Sequence, residues 1–272
     1  MGILPVIGFL VGVAIGISGI GAPMLFPALV FLGLPPHLVV GTDLAFLAFT
    51  RVFASSLHAR KKNIDWKSFV FLILPVVPAM LLGKMVWDSI KINFGSEALD
   101  SLILLVLGLI FLGISLHLVK SNLLASSPKS FTAAEKDKKS DHDGSKPIHT
   151  RKNKLVWVFT AAPISFIYQI SGLGAASMML PVLVKTIRSP KLAAGTMGIY
   201  SLIAASFGML LHYSMDNIPF VVVALLLVGS IPGVLFGVRW VTVISPKKLV
   251  AIFAVLIFLG GVFLLIKWGG LT

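Results

Sequence analysis

No cysteine occurs in the 272 residues, and Asp and Glu together number only 10. The first absence rules out disulfides, thiolate nucleophiles and Cys-ligated metals. The second goes with a charged fraction of 12%, about half that of an ordinary soluble domain. Catalytic patterns are missing as well: there is no Ser-His-Asp set, no paired carboxylates and no phosphate-binding loop. A membrane-embedded enzyme would need clustered His, Asp or Glu deep inside its apolar segments, and only Asp43 lies away from the ends of one. Asp141, His142, Asp143 and His149 are too loosely spaced, in too polar a stretch, to read as a metal site. No metal and no cofactor are expected. Gly16-Ile17-Ser18-Gly19-Ile20-Gly21 is not a dinucleotide fingerprint, because its glycine spacing is wrong and no strand precedes it.

What the chain has is apolar length. It is 57% hydrophobic, with a mean hydropathy of +0.99. Eight apolar blocks can be read, at 3–34, 37–59, 68–90, 98–119, 154–185, 191–213, 218–241 and 247–267. Most reach the roughly 20 residues that a helix needs to cross a bilayer. The expectation is an all-α, multi-pass protein of the cytoplasmic membrane. The first block has no basic leader before it and is expected to be retained. The net charge of +13 lies mostly between blocks. It therefore points to cytoplasmic loops facing anionic lipid headgroups rather than to nucleic acid.

Only residues 120–153 form a long polar stretch, rich in Ser, Lys and Asp. They read as a disordered cytoplasmic linker between a first membrane repeat (1–119) and a second (154–272). The halves match at an offset of 154 residues. Met24 pairs with Met178, Pro27 with Pro181, Gly41-Thr42 with Gly195-Thr196, His58 with His212, Asn63-Ile64 with Asn217-Ile218, Pro78 with Pro232 and Gly83 with Gly237. Biased composition would repeat Gly and Leu, but not His, Asn and Pro. The pattern is a duplication of four segments.

Each half opens with an interrupted block. Ser18-Gly19-Ile20-Gly21-Ala22-Pro23 recurs as Ser171-Gly172-Leu173-Gly174-Ala175-Ala176. Glycine pairs are poor helix interior, and Pro23 is tolerated only in a first turn. A helix is therefore predicted to end near Ser18 and Ser171, and another to start near Ala22 and Ala175. The new starts carry free N–H groups and a positive dipole end, which suit an anion. Broken backbone in a membrane belongs where protein or a watery cavity meets it. The two breaks are expected to face each other at mid-membrane. Duplicated interrupted segments are the sequence mark of a transporter's site.

Loop charge bears on orientation. If both interrupted blocks cross the membrane, Lys and Arg divide 14 to 8 between the faces; if both are re-entrant, they divide 19 to 3. The positive-inside rule favours the second arrangement. It leaves three full spans per half, hence an inverted repeat with both termini outside. Gly8, Gly12 and Gly16, and likewise Gly229, Gly233 and Gly237, read as close-packing stripes. Pro75, Pro78 and Pro232 read as kinks in the third span of each half.

Arg51 stands near the middle of an apolar block. At that depth a guanidinium must turn inward, where its fork of donors suits an oxyanion. Its repeat counterpart is Ala205. Asp43 follows Gly41-Thr42 and reads first as a helix cap, with proton coupling the weaker alternative. His58 and His212 read as structural interface residues, and Asn63 and Asn217 as caps. Tyr168 and Gln169 precede the second break and can donate to a ligand. Thr42 and Thr196 can do so too, although mid-helix threonines often bond their own backbone.

Four stretches together resemble the TauE/SafE sulfite-exporter family of membrane permeases: Ser18–Pro23, Gly41-Thr42-Asp43, His58 through Asn63-Ile64-Asp65-Trp66, and Ser171–Gly174. The resemblance spans nearly the whole chain outside 120–153. It implies ATP-independent transport, commonly export, of sulfite, sulfonates or related small sulfur oxyanions. Ala175-Ala176 stands where the first half has Ala22-Pro23, so the two sides of the site differ. The expected binding residues are Ser18, Gly19, Gly21, Ala22, Thr42, Arg51, Gln169, Ser171, Gly172, Gly174, Ala175 and Thr196. The competing readings are a transporter of an unrelated small anion and a membrane scaffold acting through residues 120–153. A homodimer is compatible with either.

Overall fold

The computed structural model describes residues 2–18, 22–60, 64–124, 151–173, 178–179, 182–183, 186–187, 190–214, 216–240 and 246–270. The described chain is all-helical. In order, the helices are α1 (Ile3–Ser18), α2 (Ala22–Phe31), α3 (Pro36–Arg60), α4 (Trp66–Ile73), α5 (Val76–Leu124), α6 (Arg151–Ser171), α7 (Pro190–Tyr213), α8 (Phe220–Trp240) and α9 (Pro246–Trp268). Between α6 and α7, Met178, Met179, Val182, Leu183 and Thr186 are also helical.

The boundaries follow the punctuation of the sequence. α1 ends at Ser18, α2 starts at Ala22 and α6 ends at Ser171. α5 is two helices meeting at Gly95, whose φ of 83° and ψ of 172° lie outside the helical region. Glycine adopts that conformation without a steric cost. A two-residue turn at Leu74 and Pro75 separates α4 from α5. α5 runs five residues past the expected edge of the first repeat, to Leu124. Starts recur at the repeat offset of 154: Pro36 with Pro190, and Trp66 with Phe220.

Among the described residues, three helices are long and apolar enough to cross a membrane: Trp66–Lys120 (spanning α4 and both parts of α5), Gly195–Tyr213 and Phe220–Gly237. Apolar side chains cover the outside as well as the core. Phe31, Leu74, Ile92, Phe94, Phe159, Leu235 and Val228 are all exposed, while Trp87, Trp157, Tyr168, Tyr200, Phe46 and Phe111 are fully buried. A helix that is apolar all round belongs in lipid.

Packing directions can be read from residue pairs. α1 and α8 run parallel: Gly8 and Gly12 lie on the backbone of Leu226 and Ser230, and Gly229, Gly233 and Gly237 lie on that of Pro5, Phe9 and Val13. A β-carbon at any of these five positions would overlap a facing carbonyl, so the predicted glycine stripes are one interlocked seam. α6 runs parallel to α4 and the first part of α5. Lys154 caps the Phe71 ring at 4.7 Å, and Gly83 meets Phe166 and Gln169. The two contacts are related by the repeat: Gly237 meets Val13 and Gly16 just as Gly83 meets Phe166 and Gln169. α3 and α7 are antiparallel, pairing Gly41 with Asn217, Leu44 with Gly208 and Asp65 with Thr196. α9 is antiparallel to the second part of α5, with Gly108 against Leu265 and Ser115 Oγ donating to Ala254 O at 2.9 Å. α9 runs parallel to α2, placing Phe31 by Phe263 and Lys267 Nζ 3.3 Å from Val30 O.

Candidate functional site: the end of α6

Gly172 stops α6 in a left-handed conformation, φ +68°, with its N–H donating to Tyr168 O at 2.8 Å. This is a common helix ending, and a side chain would be strained there. A β-carbon on Gly172 would also sit 3.3 Å from the backbone of Val40 in α3. Ser171 is occupied locally: its Oγ donates to Ile167 O at 2.7 Å and accepts from Leu173 N at 3.3 Å.

The last turn of α6 carries Tyr168 and Gln169 into the fully buried interior. Among the described residues, neither the Tyr168 hydroxyl nor either side-chain polar atom of Gln169 has a hydrogen-bond partner. The Gln169 carbonyl lies 3.1 Å from His212 Nε2 of α7. A carbonyl can only accept, so Nε2 carries the proton and Nδ1 is left as the free acceptor. His212 Nδ1 is also buried without a partner among the described residues, as is Trp87 Nε1. Trp87 of α5 meets the His212 ring edge to face at 4.7 Å between centroids. Gly83, one turn earlier, makes room for Gln169: a β-carbon there would lie 3.0 Å from Gln169 Cβ and Cγ. Lys84, Asp88 and His37 are within electrostatic reach of His212. With Asp100 they form a part-exposed rim, the Lys84–Asp88 ion pair at 2.6 Å and the His37–Asp100 hydrogen bond at 2.8 Å.

α3 supplies the charge. Val40, Asp43, Leu47 and Arg51 fall on one helix stripe at spacings of three and four. Val40 touches Gly172, and Asp43 and Arg51 are both within electrostatic reach of Tyr168. Arg51 is half-buried with its Nε inside. Asp43 is fully buried, and its Oδ1 takes no hydrogen bond from any described residue. Tyr200 of α7 reaches Tyr168 and pairs with Ser165 at 3.2 Å.

An unpartnered buried polar atom costs about 1–3 kcal/mol, and most native proteins hold few. Here several lie around one helix end: donors on a phenol, an indole and an amide, and acceptors on the same amide, the His212 ring and the Asp43 carboxylate, with the Arg51 guanidinium nearby. That composition suits an anionic guest with several oxygens.

A family model described as sulfite exporter TauE/SafE matches residues 4–267. The chain belongs to the TauE/SafE family. Probable membrane transporter protein YjnA of Bacillus subtilis is 23% identical over 256 residues, covering 93% of this chain and 95% of that one. A probable membrane transporter protein of Methanocaldococcus jannaschii is 25% identical over 284 residues, covering 97% and 95%. Probable membrane transporter protein YunE of Bacillus subtilis is 22% identical, covering 90% and 88%. No solved structure matches. This TauE/SafE protein is a multi-pass membrane transporter.

Several sequence expectations look different in the structure. Asp43 is not a cap: α3 begins at Pro36, which puts Asp43 two turns inside it. Asn217 precedes the start of α8 by three residues, and its Nδ2 has no hydrogen-bond partner among the described residues. The residue at the α4 N-cap position is Asp65, whose carboxylate accepts from Ser68 Oγ. His212, in the last turn of α7, is fully buried. Thr42 Oγ1 donates to Leu38 O at 2.7 Å, and Thr196 Oγ1 accepts from Asp65 N at 2.9 Å. Gly19, Gly21, Gly174, Ala175, Asn63 and the Asp141–His149 group lie outside the described residues, as do the side chains of Ser18, Ala22 and His58. The two breaks rest on different helices: Gly16 lies against Gly237 of α8, and Gly172 against Val40 of α3. Trp87 was not singled out from the sequence. Its one signal is a donor-bearing ring one turn beyond Gly83 in the third apolar block.

Proposed function

We propose that this transporter moves sulfite, or a related small sulfur-containing oxyanion or organosulfonate, across the cytoplasmic membrane in the export direction without ATP. The observation that carries the reading is the set of buried, unpartnered donors of Tyr168, Gln169 and Trp87 beside Arg51 and the left-handed end of α6. In this reading Arg51 supplies charge and a bidentate fork, and Gln169 supplies an amide. Gly172 and Gly174 let backbone approach the anion, with Ser171, Ala175, Thr42 and Thr196 around it. Ser18, Gly19, Gly21 and Ala22 form the opposing wall.

The inverted arrangement belongs to the same proposal. If both interrupted segments crossed the membrane, α3 and α7 would be the second and sixth of eight spans, and would run the same way. The second part of α5 and α9 would also run the same way. Their antiparallel packing supports re-entrant first segments and halves of opposite orientation.

The test is calorimetric binding to the purified protein of sulfite, sulfate, thiosulfate, sulfoacetate and an organic sulfonate. At least one sulfur anion should bind, and Arg51→Ala should weaken it. Binding of none, or binding indifferent to Arg51, would remove the proposal; preference for a sulfur-free anion would redirect it.

A further inference from the structure

Asp43 is the one carboxylate in the buried polar cluster, and the proposed anion site gives it no role. Its Oδ1 has no hydrogen-bond donor among the described residues. Arg51, about 12 Å along the same helix at 1.5 Å per residue, and Tyr168 from α6 are the titratable groups within its electrostatic reach among the described residues. Tyr200 of α7 reaches Tyr168 rather than Asp43, and the Lys84, Asp88 and His37 rim faces His212.

Charge decides what this carboxylate does. In a low-dielectric interior, charges separated by several ångströms still interact strongly. With Asp43 ionised, its charge offsets that of Arg51, and an arriving anion meets a site with no net attraction and a carboxylate that repels it. With Asp43 protonated, the positive charge of Arg51 is no longer offset by it and acts on the anion instead. Protonation thus favours anion binding, and by reciprocity anion binding favours protonation. Intramembrane carboxylates of this kind mark proton pathways.

We infer that Asp43 is a proton-coupling group, so that each anion is carried together with a proton. The inference rests on the transporter reading above. The step balances. Asp43 Oδ1 takes a proton from hydronium on the side where the anion enters: an O–H bond of the hydronium breaks, leaving water, and the Asp43 O–H bond forms. The anion leaves on the other side, the O–H bond breaks, the proton goes to water there and the carboxylate returns. No other bond changes.

The experiment uses the full chain in proteoliposomes, with radiolabelled sulfite and a pH-sensitive dye in the lumen. The medium is alkaline, so that sulfite is chiefly the dianion, and protein-free vesicles correct for leakage. In the wild type, sulfite moving down its gradient should carry protons the same way, and an imposed pH gradient should drive sulfite accumulation. Asp43→Asn should lose the pH-driven accumulation yet keep sulfite-for-sulfite exchange, and Asp43→Glu should restore proton movement. Wild-type sulfite flux without proton movement, or pH-driven accumulation retained by Asp43→Asn, overturns the inference alone. No wild-type sulfite flux overturns the transporter reading and the inference with it. If Asp43→Asn does not fold, the wild-type proton-to-sulfite ratio decides.

Discussion

At the scale of single residues, the structure separates side chains that hold the fold from those held in reserve. Tyr168 separates the two roles cleanly, because its hydroxyl is buried and bonded to no described residue. Tyr168→Phe removes no described hydrogen bond and relieves a desolvation cost of about 1–3 kcal/mol. Its melting temperature in detergent should be unchanged or higher, while anion affinity falls severalfold. A lower melting temperature would mean that the hydroxyl is bonded in the resting protein. Arg51→Ala should cost about 1.5–3 kcal/mol of charge-assisted hydrogen bonding to the anion, or roughly ten- to a hundredfold in Kd. Arg51→Lys should recover only part of this, since an ammonium cannot form the planar fork. Arg51 was legible in the sequence because charge is conspicuous in an apolar run. Trp87 and the place of His212 beside it were not, because what marks them is the contact of the two rings, and of His212 with the Gln169 carbonyl, across more than 40 residues of chain. Asp43 was misread for a local reason: Gly41 looked like a helix boundary, whereas it is a close-approach point that presses α3 onto the Asn217 carbonyl.

Among the elements, the α1–α8 seam should be the most sensitive to added volume. Gly229→Ala would drive a methyl into the Pro5 carbonyl. Overpacking of this kind costs about 1–3 kcal/mol and should appear as a lower melting temperature and a smaller monodisperse fraction. Gly113→Ala is the control, because nothing lies within 4 Å of its added carbon; its stability should hold or rise by up to about 1 kcal/mol from helix propensity. The stripes were readable in advance, since four-residue spacing of small residues has few other uses in a membrane. Their partners were not, because spacing states that a face is smooth but not which helix it meets. The helix ends at Ser18 and Ser171 were equally legible from Gly-x-Gly. The split at Gly95 was visible only as the polar gap between two apolar blocks.

For the whole molecule, the absence of native cysteine makes single-cysteine labelling free of background. Cysteines placed at Gly33, Gly95 and Gly270 should react with an impermeant maleimide from the outside. One placed between residues 60 and 66 should react only from the cytoplasmic side. Cytoplasmic reactivity at Gly270 would break the inverted arrangement, whatever the site binds. The positive-inside count and the antiparallel α3–α7 and α5–α9 packing both lead to this pattern, by independent routes. The central claim, however, concerns what is carried. The most direct measurement is sulfite counterflow in proteoliposomes, in which unlabelled sulfite inside drives uptake of labelled sulfite. The wild type should show a transient overshoot that Arg51→Ala lacks. A wild type no faster than empty vesicles, or an Arg51→Ala overshoot equal to it, would contradict the account.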